Sequence, residues 1–583
     1  MADNISDVVV VGSGAGAMTA AIKAHDQGMS VTMIEKANVY GGTSAMSGGG
    51  IWVPNHGKAS KIEDSPEDAW TYARALVEDS VSDVRLKAYL ERAAEMVRYM
   101  EEHTQLEVVP QDIYPDYYPD LPGAKTGGRT LDPSPFSGKA LGDEFKRMRQ
   151  QHPQTLALGR YAITMAEGRR IFSKEPGSMM VMLKLMANYW TNIGARLKGK
   201  RDSRLALGNA LIGRLRRSMM DRNIPLLLNT ALVDLILDGE RVVGVKIRRD
   251  AESGADEPQE LYARQGIILG AGGFEHSQEM REKYLPQPTS SHWSAGNPCN
   301  TGDAIQAGLK LGAQTSLMEH AWWGPAVRVN TEAVARVLFA EKSLPGLIFV
   351  NSRGERYANE AAPYQDYGPN CYRAHGGEIS SIPAYAIFDA NYRRKYMLGP
   401  MMPAAITPDA LLPKSLKQGF YHRADTLAEL AHKINLPADK LTATVERFNG
   451  FARNGEDRDF QRGGNLHDKY YGDKTCDPNP CLAPLEKGPF YAVRVYPGDL
   501  GTKGGLLTDQ HARVLDQKGD VIKGLYAIGN TSSSVVGSTY PGAGTTLGPA
   551  MTFGYLAACH LGSEFRGEAS AGDTTLATEL MDC

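Results

Sequence analysis

Residues 7–21 read "DVVVVGSGAGAMTAA". The valine run, Val8 to Val11, has the length and the β-branched character of a buried strand. A glycine turn follows, then a run of small residues that suits a closely packed helix. The spacing is Gly12-x-Gly14-x-x-Ala17. Gly12 permits the tight turn, Gly14 lets a pyrophosphate approach bare backbone, and Ala17 keeps helix and strand close. The helix N-terminus then faces the anion. The next strand, "SVTMIEK" (30–36), ends at Glu35, about 20 residues on, where a ribose hydroxyl needs a carboxylate acceptor. Strand, turn, helix and acid together predict a dinucleotide-binding βαβ unit in an α/β, Rossmann-like domain.

The continuation "EKANVYGGTSAMSGGGIWVPN" (35–55) separates flavin from nicotinamide. Gly41, Gly42, Thr43 and Ser44 follow the acid, then Gly48, Gly49 and Gly50. A long loop of glycines and hydroxyls suits a flavin ring laid against backbone, whereas a nicotinamide protein would enter its next helix. The loop holds no histidine, so non-covalent FAD is expected. "NTALVDLILDGERVVGVKI" (229–247) is a hairpin with an Asp238-Gly239 turn. "GIILGAGGF" (266–274) is a buried strand ending in glycines, and "GLYAIGN" (524–530) a last strand returning to the same sheet. The FAD-binding domain is therefore split, 1–276 and 499–562. Residues 277–498 form an inserted α+β catalytic domain capping the flavin.

Length and charge agree. A chain of 583 residues exceeds one ordinary core. With 64 basic and 67 acidic residues, net −3, nothing suggests nucleic acid. No run reaches membrane-spanning length. The six cysteines (Cys299, Cys371, Cys476, Cys481, Cys559, Cys583) show no metal-ligand spacing, so no metal is expected. The start shows no signal-peptide pattern, and a cytoplasmic protein with reduced thiols is expected.

"VVGSGAGA", "EKANVYGGTSAMSGGGIW", "GAGGFE", "NTGDA", "NSRGERYANE" and "GLYAIGN" together resemble the fumarate reductase/succinate dehydrogenase flavoprotein superfamily, over nearly the whole chain. "PDYYPD", "NEAAPYQDYG", "DLGTKGGLLTD" and "TYPGAG…LGPAMTFGY" are similar to its 3-ketosteroid Δ1-dehydrogenase branch. The resemblance implies an FAD site of Gly12, Ser13, Gly14, Ala15, Gly16, Ala17, Glu35, Lys36, Gly42, Thr43, Ser44, Ser47, Gly48, Val233, Ala271, Gly272, Asp303, Gly529, Asn530, Thr546 and Leu547. Dicarboxylate-reducing relatives need an arginine a few residues after "NE" and another near the last flavin helix, to deliver a proton and to clamp a carboxylate. Here those places hold Tyr364 and Tyr540. Neutral phenols suit a neutral ketone.

The implied roles follow. Tyr540 O–H and the Gly544 N–H bind the 3-keto oxygen as an oxyanion hole. Tyr364 takes the proton from carbon 2, the hydride on carbon 1 goes to flavin N5, and Tyr117 relays the proton, with Tyr118 as the alternative. His320 is expected to be structural. Trp322 and Trp323 suit either a steroid slot or core packing.

Residues 150–205 are foreign to the flavin domain. From about 176 to 204 an apolar, Met-rich stretch is followed by Tyr189, Trp190 and the basic Arg196, Lys198, Lys200, Arg201 and Arg204, the composition of a helix lying on a membrane surface. A lid packed on its own protein is the alternative. Surface contact would place the protein peripherally on the inner face of the cytoplasmic membrane and favours substrates that keep a side chain, such as cholest-4-en-3-one. The electron acceptor is left open, a quinone being one candidate. Residues 563–583 are expected to be a flexible tail. Competing readings are a dehydrogenase of the neighbouring 4,5 bond, a fumarate-reductase-like enzyme, and a membrane-surface protein that binds flavin and sterol without turnover.

Overall fold

The computed structural model describes residues 4–77, 79, 81–249 and 258–567. Its main sheet is mixed. Strands Leu226–Leu227, Val31–Ile34, Ile5–Val11 and Gln259–Leu269 lie side by side and parallel. The long strand Gln259–Leu269 then forks. Its first half pairs antiparallel with Arg241–Arg249, which forms the expected hairpin with Thr230–Asp238. Its last residues pair parallel with Val521–Ala527. The chain's C-terminal part thus returns to the sheet begun by its N-terminus.

The valine run is buried on both faces, as a central parallel strand must be. Val8 and Val10 face one core together with helix Ala15–Asp26, while Val9 and Val11 face another with Leu269 and Ala527. Helix Leu547–Phe565 packs along Ala15–Asp26. Gly12 has φ +104°, and a Cβ there would lie 2.3 Å from the Gly270 oxygen. Only glycine lets these two strand ends approach so closely.

The second sheet is antiparallel, in the order Arg336–Val337, Ala321–Val327, Phe490–Thr502, Ala384–Phe388, Leu347–Val350, with Tyr421–Ala424 also paired to Phe490–Thr502. The expected boundary at 498 falls within a strand: Phe490–Thr502 runs through it without a break, because Asp499 and Thr502 still pair with Trp323 and Ala321. Of the expected tail, residues 563–565 complete the helix ending at Phe565, and the part beyond 567 lies outside the described residues.

Residues 150–205 supply helices Met165–Phe172, Ser178–Thr191 and Ile193–Lys198. They share a small core of Tyr161, Ile163, Leu185 and Tyr189. The first helix has a full capping box, Thr164 with Glu167, which fixes where it starts. Cys299, Cys371, Cys476, Cys481 and Cys559 are free thiols, and no metal-holding cluster occurs among the described residues.

Candidate active site

One cavity runs between the two sheets. Its volume is about 360 Å³, within the roughly 300–1,000 Å³ of a typical small-ligand site. Its lining runs from the glycine turn at Gly12 to the phenol of Tyr540. Of the expected cofactor residues, all but Val233 line it. On that strand the lining residues are Thr230 and Leu232. The ladder slips between Leu232 and Asp234, so Val233 sits at the irregularity, outside the wall.

The lining fits FAD. Two helices open into the cavity at their N-termini, Ala15–Asp26 and Leu547–Phe565. Neither N-cap residue supplies a capping side chain and neither first turn holds an acidic residue. The Ala15 N–H meets Ser44 Oγ at 3.1 Å and the Leu547 N–H the Gly544 oxygen at 3.1 Å, and the N–H groups beside them suit phosphate or carbonyl oxygens. Glu35 is buried and accepts from Ser13 Oγ at 2.5 Å and Ala37 N at 2.9 Å. Burial pushes its carboxyl above the usual range despite these bonds. Lys36 is held by Asp303 at 2.7 Å and Thr301 at 2.6 Å. His152, the histidine among the described lining residues, has Nε2 3.0 Å from the Ala335 oxygen and Nδ1 accepting from Gln154 N.

At the other end three phenols converge. Tyr364 opens the helix Tyr364–Arg373 immediately after Pro363, a residue that ends an extended approach without needing a donor. Its ring meets Tyr540 at 5.3 Å and 71° and Tyr117 at 5.5 Å and 74°. Tyr117 stacks on Tyr540 at 5.2 Å and 19°. All three line the cavity and are nearly excluded from water. Burial holds all three phenols above their ordinary value, most strongly Tyr117 and Tyr364. Gly544 has φ +100°, and a Cβ there would stand 2.6 Å from the Gly50 carbonyl. The bare backbone at 544 is therefore a steric requirement.

The structure separates Tyr117 from Tyr118. Tyr118 turns away and donates to Asp366 at 2.6 Å. The "PDYYPD" loop is fixed beneath the phenols. Asp116 accepts from Trp52 at 2.9 Å and Arg129 at 2.7 Å, while Tyr117 N donates to the Pro541 oxygen at 2.9 Å. Trp322 and Trp323 are core residues outside the cavity wall, and Trp322 backs Tyr540. His320 is also outside the wall, beside Glu319.

Several lining residues had no signal in the motifs. Tyr114 bonds Tyr471 at 3.0 Å, stands 3.5 Å from the Tyr117 hydroxyl and stacks on Tyr470 at 4.3 Å. The paired "YY" at 470–471, echoing "DYY", was the available hint. Met165, Arg169 and Phe172 form a further wall, one face of the helix Met165–Phe172. The cationic lining side chains are Lys36, paired with Asp303, and Arg169, paired with Glu175. Neither is free to clamp a carboxylate.

A family model described as an FAD binding domain matches residues 7–547. The 3-oxosteroid 1-dehydrogenase of Mycolicibacterium smegmatis is 43% identical over 95% of this chain and 96% of its own. That of Comamonas testosteroni is 37% identical over 96% of each. The crystal structure of the 3-ketosteroid delta1-dehydrogenase from Sterolibacterium denitrificans in complex with 1,4-androstadiene-3,17-dione superimposes with a TM-score of 0.93 at 48% identity, covering 96% of this chain and 100% of that one. A split flavin sheet, a crevice ending in three phenols and full-length likeness lead to one assignment: the chain belongs to the 3-oxosteroid 1-dehydrogenase family of FAD-binding flavoproteins.

Proposed function

We propose that the protein carries out FAD-dependent 1,2-dehydrogenation of 3-ketosteroids. The observation that carries this reading is the neutral, water-excluded trio Tyr117, Tyr364 and Tyr540 at the flavin end of the cavity. Bound FAD supplies the two-electron acceptor for the hydride from carbon 1. The chain's own residues do the rest. Tyr540 O–H and Gly544 N–H hold the 3-keto oxygen and stabilise charge as it develops there. That acidifies carbon 2, whose proton passes to Tyr364 as its phenolate. Tyr117 donates to Tyr364 and supports that charge. Glu35 would hold a ribose hydroxyl, and the first turns beginning at Ala15 and Leu547 would face phosphate and ring oxygens. Non-covalent binding is the reading supported by His152, whose ring nitrogens are engaged by backbone groups. Residues 1–276 and 499–562 act as the FAD-binding domain and 277–498 as the capping catalytic domain, with the shared strand Phe490–Thr502 between them.

Turnover with androst-4-ene-3,17-dione and an artificial electron acceptor is expected to yield the 1,4-diene. An unchanged steroid contradicts the reading, and so does formation of a 4-ene from 5α-androstane-3,17-dione, whose 4,5 bond is still saturated.

A second reading concerns the insert. Its helices expose Met179 (72%), Met180 (69%), Ile193 (68%) and Leu197 (84%), with Leu183 and Trp190 half bare. The cationic cluster differs from expectation. Arg201 donates to the carbonyls of Phe145 and Met148, Arg204 pairs with Glu167, and Arg196 lies 3.6 Å over the Tyr189 ring. These guanidiniums hold the insert together, which leaves the apolar face as the part that meets lipid. No described helix is long and apolar enough to cross a membrane. The lid reading has support as well: Met165 lies at Gly48 and Gly50, and the helix lines the cavity from there to Phe172, about 10 Å at 1.5 Å per residue. A steroid side chain leaving along it meets the apolar face, which favours side-chain-bearing substrates and places lipid-soluble quinones beside the mouth as electron acceptors. The protein is expected to co-sediment with neutral phosphatidylcholine vesicles at high salt. Substituting Leu183 and Leu197 by serine is expected to abolish this; salt-sensitive binding that survives the substitutions contradicts it.

A further inference from the structure

Lys503 stands behind Tyr540, outside the cavity wall, and is 1% exposed. Its ammonium donates to the carbonyls of Gly537, at 3.4 Å, and Thr539. It also lies 4.1 Å from the centre of the Trp322 ring. That ring meets Tyr540 edge-on at 5.1 Å and 79°, and its Nε1 donates to Asn530 at 3.0 Å. No carboxylate is within ion-pair distance of Lys503 among the described residues. Taking an ammonium out of water without a counter-ion is costly, so its carbonyl partners matter. They are the two that bracket Ser538, just before Tyr540. The Ser538 carbonyl is itself held by Gln365 at 3.3 Å, next to Tyr364. A hydrogen-bond donor stabilises a developing oxyanion only if it is already aimed, and this segment has no regular secondary structure of its own to aim it.

We propose that Lys503 is a positioning residue for Tyr540: by pinning the carbonyls at 537 and 539 and backing Trp322, it sets the phenol so that its hydroxyl and the Gly544 N–H converge on the ketone oxygen. This rests on the role given to Tyr540 above. Lys503→Met keeps an unbranched side chain, one heavy atom shorter, and removes every donor. The variant is expected to bind FAD, to lose kcat about 100-fold, the scale of a misplaced catalytic group, and to keep its KM for androst-4-ene-3,17-dione. Equilenin, a naphtholic steroid whose fluorescence separates its neutral and ionised ring, reads the donor pair independently. The unaltered protein is expected to favour the ionised form and Lys503→Met to lose that preference. If Lys503→Met cannot hold flavin, Trp322→Leu carries the same two measurements with the same expected losses. Unaltered kcat and equilenin preference in the flavin-loaded variant overturn the proposal. Unaltered kcat in Tyr540→Phe overturns the reading beneath it instead.

Discussion

Replacing Tyr364 by phenylalanine is expected to lower kcat by about 10²–10⁴-fold, the range for loss of a general base, while the protein stays yellow. The ring contributes to packing against Tyr540, Tyr117 and Phe339, and phenylalanine preserves those contacts. Only the hydroxyl is lost, so a fall in rate without loss of flavin isolates the proton step. Burial pushes this phenol well above its ordinary value. In the proposed role the working form is the phenolate, whose fraction grows as pH rises. The rate of the steroid half-reaction in the unaltered protein is therefore expected to climb from pH 6 towards pH 9. In Tyr364→Phe that slope is expected to vanish. Rapid-mixing rates across the pH range check both parts, and a variant with unaltered rate and slope removes Tyr364 from the mechanism.

Tyr540→Phe is expected to cost about 10²–10³-fold in kcat, the measured scale for one oxyanion donor. The Gly544 N–H survives in this variant, so activity falls without disappearing. The loss should fall on kcat more than on KM, because the ketone oxygen carries its full charge only as carbon 2 is deprotonated. A loss confined to KM would instead assign Tyr540 to ground-state binding. Gly544 itself offers no comparable probe. A side chain there meets the Gly50 carbonyl and the Trp52 N–H at 2.6 Å, so its substitution disturbs flavin loop and donor together.

Local motifs carried most of what could be read before the fold was known. Gly12, Gly14, Ala17 and Glu35 belong to one short βαβ unit whose geometry follows from spacing alone, and all line the cavity. Tyr364, Tyr540 and Gly544 were legible because each lies inside a distinctive run. Contacts between distant segments were harder. Tyr117 and Tyr118 are adjacent and chemically identical, and only the docking of Tyr117 N on Pro541 decides which faces the cavity. Val233 sits at a slip in the ladder between Leu232 and Asp234, which changes the facing of neighbouring side chains in a way that spacing does not show. The arginines at 196, 201 and 204 looked like a lipid-facing cluster until their carbonyl, carboxylate and ring partners were seen. Lys342 is of the same kind as Lys503. It is buried, and it holds the carbonyls of Glu360, Ala361 and Ala362 just before Tyr364. Lys503 lies inside the run "DLGTKGGLLTD" and Lys342 in none of the quoted runs, but the role of neither is legible, because their partners are backbone oxygens far along the chain.

The measurement closest to the central claim is anaerobic mixing of the yellow protein with cholest-4-en-3-one and, separately, androst-4-ene-3,17-dione, following the flavin band near ~450 nm. The account predicts that the band bleaches and that the steroid recovered carries a new 1,2 double bond, with the side-chain-bearing ketone reacting at least as fast. If neither steroid bleaches the flavin while fumarate reoxidises dithionite-reduced protein, the phenols at 364 and 540 do not serve a ketone, and the account is contradicted.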